Sequence, residues 1–236
     1  MRIWLLRICW LLLSVGVIFV FYLASSNEAM QELKRPKIVI HSADENAFLT
    51  RSELLDRLEL KHLFYPKMKA SALKIHRIER SISSMPEVKH VEVFKHLGGR
   101  WEIILELRQP IARIFNKKGQ SYYLDQDGFM MNRSTLHTAR VLVFSGYIWD
   151  AYNPRVNYDF INNPNLKSSQ KISQIYHISN YVCNDPLMHK LIGQVYLEAD
   201  GDFILIPILG DQQIIFGQAR TAEEVSDKFE RLRHFY

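Results

Sequence analysis

The chain has little of what marks an enzyme, a disulfide scaffold or a nucleic-acid binder. Only two of its 236 residues are cysteines. Cys9 lies in an apolar N-terminal run and Cys183 in a distant polar region, so one would sit in lipid and the other in water. No disulfide framework and no Cys-x-x-Cys metal spacing can come from them. A domain without disulfides must be held by its hydrophobic core, and a chain of roughly 200 residues can bury one. The ten glycines form no Walker or dinucleotide-binding pattern, and neither G-x-S-x-G nor H-E-x-x-H occurs. The nine histidines are scattered; His90 and His96 straddle a strand end without ligand spacing. The net charge is not concentrated in one part of the chain. Of the net +5, residues 1–36 hold +2 (Arg2, Arg7, Lys34 and Arg35 against Glu28 and Glu32), leaving +3 for the rest. That is too dilute for a nucleic-acid footprint. Asp125 and Asp127 lie in Leu-Asp-Gln-Asp-Gly, a turn sequence rather than an acid–base pair. Tyr122, Tyr123 and Phe129 read as core and cross-strand packing. These absences predict no catalysis, no cofactor, no metal, no nucleic acid and no small-molecule substrate.

What the chain does have is one long apolar run. Ile8–Ala24 (ICWLLLSVGVIFVFYLA) is apolar or small at all 17 positions, or 22 counted back to Ile3 through Arg7. About 20 helical residues cross a bilayer, so Ile8, Leu12, Val17 and Phe21 are predicted to span it. Arg7 can snorkel, and Trp4, Trp10 and Tyr22 suit the interfaces. Arg2 and Arg7 place the N-terminus in the cytoplasm and the bulk of the chain outside it, although Lys34, Arg35 and Lys37 beyond the run blur the charge rule. A cleaved signal peptide ending near Ala24-Ser25-Ser26 is the competing reading, but the run exceeds the usual h-region of about 7–15 residues.

Residues 25–36 are polar, end at Pro36 and read as a stalk. Lys37–His41 reads as a strand. Thr50-Arg51-Ser52-Glu53 matches a capping box ahead of Leu54, Leu55 and Leu58. A second helical pattern follows through Leu73, Ile75, Ile78, Ile82 and Met85 and stops at Pro86. Strands over Val88–Phe94 and Trp101–Leu107 flank a Gly98-Gly99 turn. After Pro110, short strands are predicted at Ile111–Phe115, Ser121–Leu124, Phe129–Met131 and Val141–Phe144. Asn153–Ser169 reads as a loop and Gln170–Tyr181 as a helix. The hairpin Gly193–Glu198 and Phe203–Ile208 turns at Asp200-Gly201. Gln213–Phe216 adds a strand, and Thr221 opens a last helix with Val225, Phe229 and Leu232 on one face.

This order of parts, with four local patterns, resembles the bacterial cell-division family FtsQ/DivIB. Met85-Pro86-Glu87-Val88-Lys89-His90-Val91-Glu92-Val93 is similar to the family's P-x-V-x-x-A-x-V helix end. Leu105-Glu106-Leu107-Arg108-Gln109-Pro110-Ile111-Ala112 is similar to its V-x-E-R-x-P-V-A junction, with Leu107 where Glu is usual. Tyr123–Gly128 resembles its L-V-D-x-x-G turn. Gln213–Gln218 resembles its V-x-L-G strand, with Gln218 where a basic residue often follows the glycine.

The resemblance implies an α+β chain: a cytoplasmic tail and transmembrane helix over 1–24, a stalk over 25–36, a POTRA-like β-α-α-β-β domain over 37–109, and a β-rich domain with flanking helices over 110–236. It implies a non-catalytic divisome scaffold in the inner membrane, with a periplasmic C-terminal domain, at the septum. Its partners would be the bilayer, FtsB and FtsL bound by strand addition, and further FtsK or FtsW/FtsI-like proteins. Family members continue past the last helix into more strands, whereas this sequence stops at His234-Phe235-Tyr236. Either the sequence is incomplete there, or this member is shorter and Gln213–Phe216 becomes the exposed edge. Gln213, Ile214, Ile215, Phe216, Gln218 and Phe229 are the partner-binding candidates. The alternative is another POTRA-bearing anchored protein of transport or envelope assembly, but no long barrel-strand series follows.

Overall fold

The computed structural model describes residues 2–42, 48–133, 138–152 and 171–235. The predicted loop at Asn153–Ser169 lies outside them. The chain folds as two units, one of residues 1–41 and 50–106, the other of 42–49 and 107–236.

The first unit begins with helix α1, Arg2–Met30. Its stretch Trp10–Met30 is long and apolar enough to cross a membrane, and the side chains from Trp10 to Leu23 are exposed. The helix does not stop at Ala24. Backbone hydrogen bonding continues through the polar residues Ser25–Met30, because the last turn finds partners: the Gly98 N–H donates to Glu28 Oε1 at 2.8 Å. Residues 31–34, read from the sequence as a stalk, are likewise bound. Leu33 is buried and its N–H donates to Met68 O at 2.8 Å, while the Lys34 N–H donates to Gly99 O at 2.9 Å.

Strand β1, Lys37–His41, lies parallel to the central strand β3, Trp101–Leu107. The edge strand β2, Val88–Lys95, takes β3's other side, giving the order β1-β3-β2. Alternation of apolar residues along β3 buries Trp101, Ile103, Leu105 and Leu107 on one face. Against it lie helices α2, Arg51–Leu60, and α3, Ile75–Ser83. Thr50 caps α2, its Oγ1 accepting from the Glu53 N–H at 3.2 Å. The Glu53 carboxylate does not return to the cap as a full capping box would. It pairs with Arg57 at 2.6 Å, and Arg57 also reaches Glu87 at 2.5 Å. Leu54, Leu58, Ile78 and Ile82 are fully buried. The second helix is shorter than its apolar spacing suggests: a 3-10 turn at Ala70–Ala72 and an extended Leu73 precede it.

The second unit is built on a seven-stranded sheet. Its strands are β4 (Pro110–Phe115), β5 (Ser121–Asp125), β6 (Met130–Met131), β7 (Leu142–Gly146), β8 (Ile192–Leu197), β9 (Phe203–Pro207) and β10 (Ile214–Gly217). Their spatial order is β10-β9-β8-β7-β4-β5-β6. β7 pairs in parallel with both β4 and β8, and the other pairings are antiparallel. A parallel step needs a crossover, and α4, Ile172–Asn184, and α5, Pro186–Leu191, lie on the path from β7 to β8. Ile172, Ile175, Ile178 and Val182 of α4 join Phe144, Val195, Leu197, Phe203 and Leu205 in one core. A smaller cluster of Phe48, Tyr123, Met131 and Ala139 packs at the β6 edge. The chain closes with α6, Ala222–Arg233.

Candidate functional site

The sheet of the second unit has two edges. β6 has only two residues, and Phe48 and Ala139 pack beside it. β10, at the other end, has β9 as its one sheet neighbour among the described residues. An uncovered edge offers backbone N–H and C=O groups to another strand.

β10 is held from behind by packing. Ile214 faces Leu205 and Ile215 faces Ile204, but Gly217 faces Phe203, so Phe216 is the extra residue of a bulge. Gly217 makes this possible with φ +72°, a left-handed conformation that favours glycine. The bulge turns Phe216 inward, where its ring lies 4.9 Å from that of Phe229 on α6; Phe229 in turn stacks on Tyr181 of α4 at 4.5 Å. Behind the strand, Lys228 donates to the Gln218 carbonyl and pairs with Glu224 at 2.6 Å. The Ala219 N–H donates to Gln174 Oε1 at 2.9 Å, and the Glu224 N–H donates to Thr221 Oγ1 at 3.1 Å, capping α6. The Lys228 hydrogen bond is the first cause holding the Glu224 carboxyl below its usual range.

The outward face is apolar. Ile215 is 82% exposed, and the same hairpin carries Ile208 and Leu209 in the open at 59% and 79%. Apolar side chains beside an open strand edge are what a pairing strand would cover.

The structure thus divides the residues expected to bind a partner. Gln213 and Ile215 are exposed, and Ile214 and Gln218 are half-buried. Gln218 is engaged locally, its Oε1 accepting from Arg220 Nε at 2.8 Å. Phe216 and Phe229 are core residues, at 7% and 0% exposure. Their side chains support the strand and are not available to a partner, a correction to their reading as contact residues. Ile208, the last residue of the expected strand, and Leu209 just beyond it were not among the partner-binding candidates, and nothing in the alternation set them apart. Of the expected membrane-spanning residues, Leu12, Val17 and Phe21 point outward from α1, while the Ile8 side chain lies outside the described residues.

Two carboxylates of this unit, Asp125 and Asp150, are held in buried hydrogen-bonded settings. Asp125 is fully buried and accepts from Arg108 Nη1 at 2.8 Å and from the Phe129 N–H at 2.6 Å. Burial pushes its carboxyl up, opposed by Arg108. Asp150 is raised by burial too, although its carboxylate accepts from the backbone N–H groups of Ile172 and Lys171 at the start of α4. Among the described residues no group of three or more His, Cys, Asp or Glu side chains could hold a metal.

Comparison with known families agrees with this architecture. Residues 109–236 match the family model described as FtsQ/DivIB, C-terminal related, and residues 34–106 match that of a POTRA-like domain. No curated protein matches the chain.

Proposed function

The chain belongs to the FtsQ/DivIB family, and on that premise we propose that it is a divisome scaffold that binds FtsB, with its companion FtsL, by strand addition to the open edge of β10. The family's domains suggest a cell-division scaffold role, and the family is known as non-enzymatic. The apolar helix α1 fits a single-pass membrane protein. In this reading α1 anchors the chain in the inner membrane with its N-terminus in the cytoplasm, and the rest of the first unit and the whole second unit lie in the periplasm at the septum. The POTRA-like unit is then left for other division proteins, such as FtsK or FtsW/FtsI-like proteins.

The observation that carries the partner assignment is a strand edge with no second neighbour among the described residues, which bears an exposed Ile215 over an aromatic support. Strand addition draws affinity from backbone hydrogen bonds and specificity from alternate side chains. That needs a firm edge and no special chemistry.

The test joins localisation with binding. A fluorescent fusion of the full chain should concentrate at midcell in dividing bacteria, and Ile215→Asp should weaken capture of the FtsB–FtsL pair by roughly tenfold. Unchanged capture by the variant would overturn the edge assignment while leaving the scaffold. Even distribution around the envelope would overturn the scaffold itself.

A further inference from the structure

We propose that the segment 34–37 and the β2–β3 turn of the first unit form a docking surface for anionic phospholipid headgroups of the membrane that α1 crosses. The inference rests on the single-pass reading of α1, not on the division role.

The β2–β3 turn is fixed to the end of the spanning helix. Gly98 N–H donates to Glu28 Oε1 at 2.8 Å, Lys34 N–H to Gly99 O at 2.9 Å, and Trp101 Nε1 to Lys34 O at 2.8 Å. The contact at Gly99 is so close that a Cβ there would lie 2.3 Å from the Glu32 carbonyl oxygen. From Ala24, the last residue of the apolar run, to Glu28 a helix rises about 6 Å. The headgroup layer on each side of the hydrocarbon core is about 5–8 Å deep. The turn therefore lies at headgroup depth.

Lys34, Arg35, Lys37, His96 and Arg100 line a groove of about 440 Å³ together with Trp101 and Glu102. Glu102 is committed to Lys37 at 2.6 Å and approaches His96 at 3.7 Å. Among the described residues no carboxylate pairs with Lys34, Arg35 or Arg100. The Arg100 Nε donates to Leu97 O at 3.3 Å, which leaves its terminal nitrogens to reach a phosphate. At the tip of the turn Leu97 is 74% exposed, an apolar side chain where a membrane interface would receive it. Cations on the exported side of a span run against the charge rule for topology. Attraction to an anionic leaflet gives them a use.

The full chain in nanodiscs of phosphatidylcholine alone, or of equal parts phosphatidylcholine and phosphatidylglycerol, tests this by amide hydrogen exchange. Exchange over residues 94–100 should be several-fold slower in the anionic discs. The difference should vanish in Lys34→Gln/Arg35→Gln/Arg100→Gln and shrink at high salt, where charges are screened within a few ångströms. Unaltered exchange in α2 and β8 of the variant shows that it is folded; should the triple variant unfold, Arg35→Glu alone should still reduce the difference. Equal exchange in the two disc types would overturn the proposal. So would equal protection from inorganic phosphate added to phosphatidylcholine discs, which would make the groove a site for soluble anions. A chain that fails to float with the discs would overturn the membrane reading as well, and is thereby told apart from a failure of headgroup docking alone.

Discussion

Arg108 and Asp125 form a buried ion pair, Nη1 to Oδ2 at 2.8 Å, with the carboxylate side chain 1% exposed. Asp125 also closes its own turn: its backbone N–H donates to Phe129 O and its Oδ1 accepts the Phe129 N–H. The Arg108 guanidinium lies over the Phe129 ring, 4.2 Å from its centroid. One side chain thus satisfies the aspartate and caps the aromatic ring.

Arg108→Met removes the charge partner and leaves the carboxylate buried. The expected cost is about 3–5 kcal/mol at neutral pH. The sign with pH follows from the direction of the shift. Burial already raises the Asp125 carboxyl above its ordinary value, so the folded state holds that proton more tightly than the unfolded chain. Stability therefore falls as pH rises through the folded value. Without Arg108 the carboxyl is raised further, so the deficit of the variant should be largest near neutrality and shrink as acid protonates Asp125. Thermal midpoints of both proteins between neutral pH and the acid range check this; a deficit independent of pH would place the loss in packing alone.

Much of the fold was legible in the sequence because its signals were local. β1 falls where the β-branched run Lys37–His41 puts it and β3 where the chain returns from the Gly98-Gly99 turn, and Thr50 and Thr221 cap the helices they precede. The insertion of β7 between β4 and β8 was not legible, since strand order is settled by packing of distant segments. Helix α5 was passed over although Asp185 caps it and Pro186 sits in its first turn, because six residues carry too little periodicity. The edge strand was legible at the site, but the direction of its side chains was not. Phe229 lies on the apolar stripe of α6, and periodicity reports which residues share a face without saying whether core or partner covers it.

Phe229→Ala tests that distinction. A fully buried phenylalanine in contact with Tyr181 and Phe216 should cost about 3–5 kcal/mol on truncation. Ile215→Asp, on the open face, should change stability by no more than about 0.5 kcal/mol. In a double-mutant cycle Phe216→Ala and Phe229→Ala should couple by about 0.5–1.5 kcal/mol. Strict additivity of the two would mean that α6 does not support the edge strand.

The cap of α6 is a smaller lever on the same edge. Thr221→Ala loses the hydrogen bond to the Glu224 N–H and should cost about 1 kcal/mol. Thr221→Asn, which can accept the same bond, should restore most of it. Chemical denaturation of the three proteins checks the ranking; a loss that asparagine does not recover would assign the effect to the side chain's packing.

Gly99 and Gly119 separate backbone strain from crowding. Both have positive φ, +67° and +75°. A Cβ at Gly119 meets nothing within 4 Å, whereas at Gly99 it would lie 2.3 Å from the Glu32 carbonyl oxygen. Gly119→Ala should therefore cost only the left-handed conformation, about 1 kcal/mol. Gly99→Ala carries that cost and must also push the β2–β3 turn away from the chain that follows α1. Its total should exceed that of Gly119→Ala, and the bonds from Lys34 to Gly99 and from Gly98 to Glu28 should open. Limited proteolysis reads the second effect directly. New cleavage near Lys34 and Arg35 in Gly99→Ala, absent from Gly119→Ala, is the expected pattern; equal resistance of the two would mean that the turn is not what holds residues 31–36.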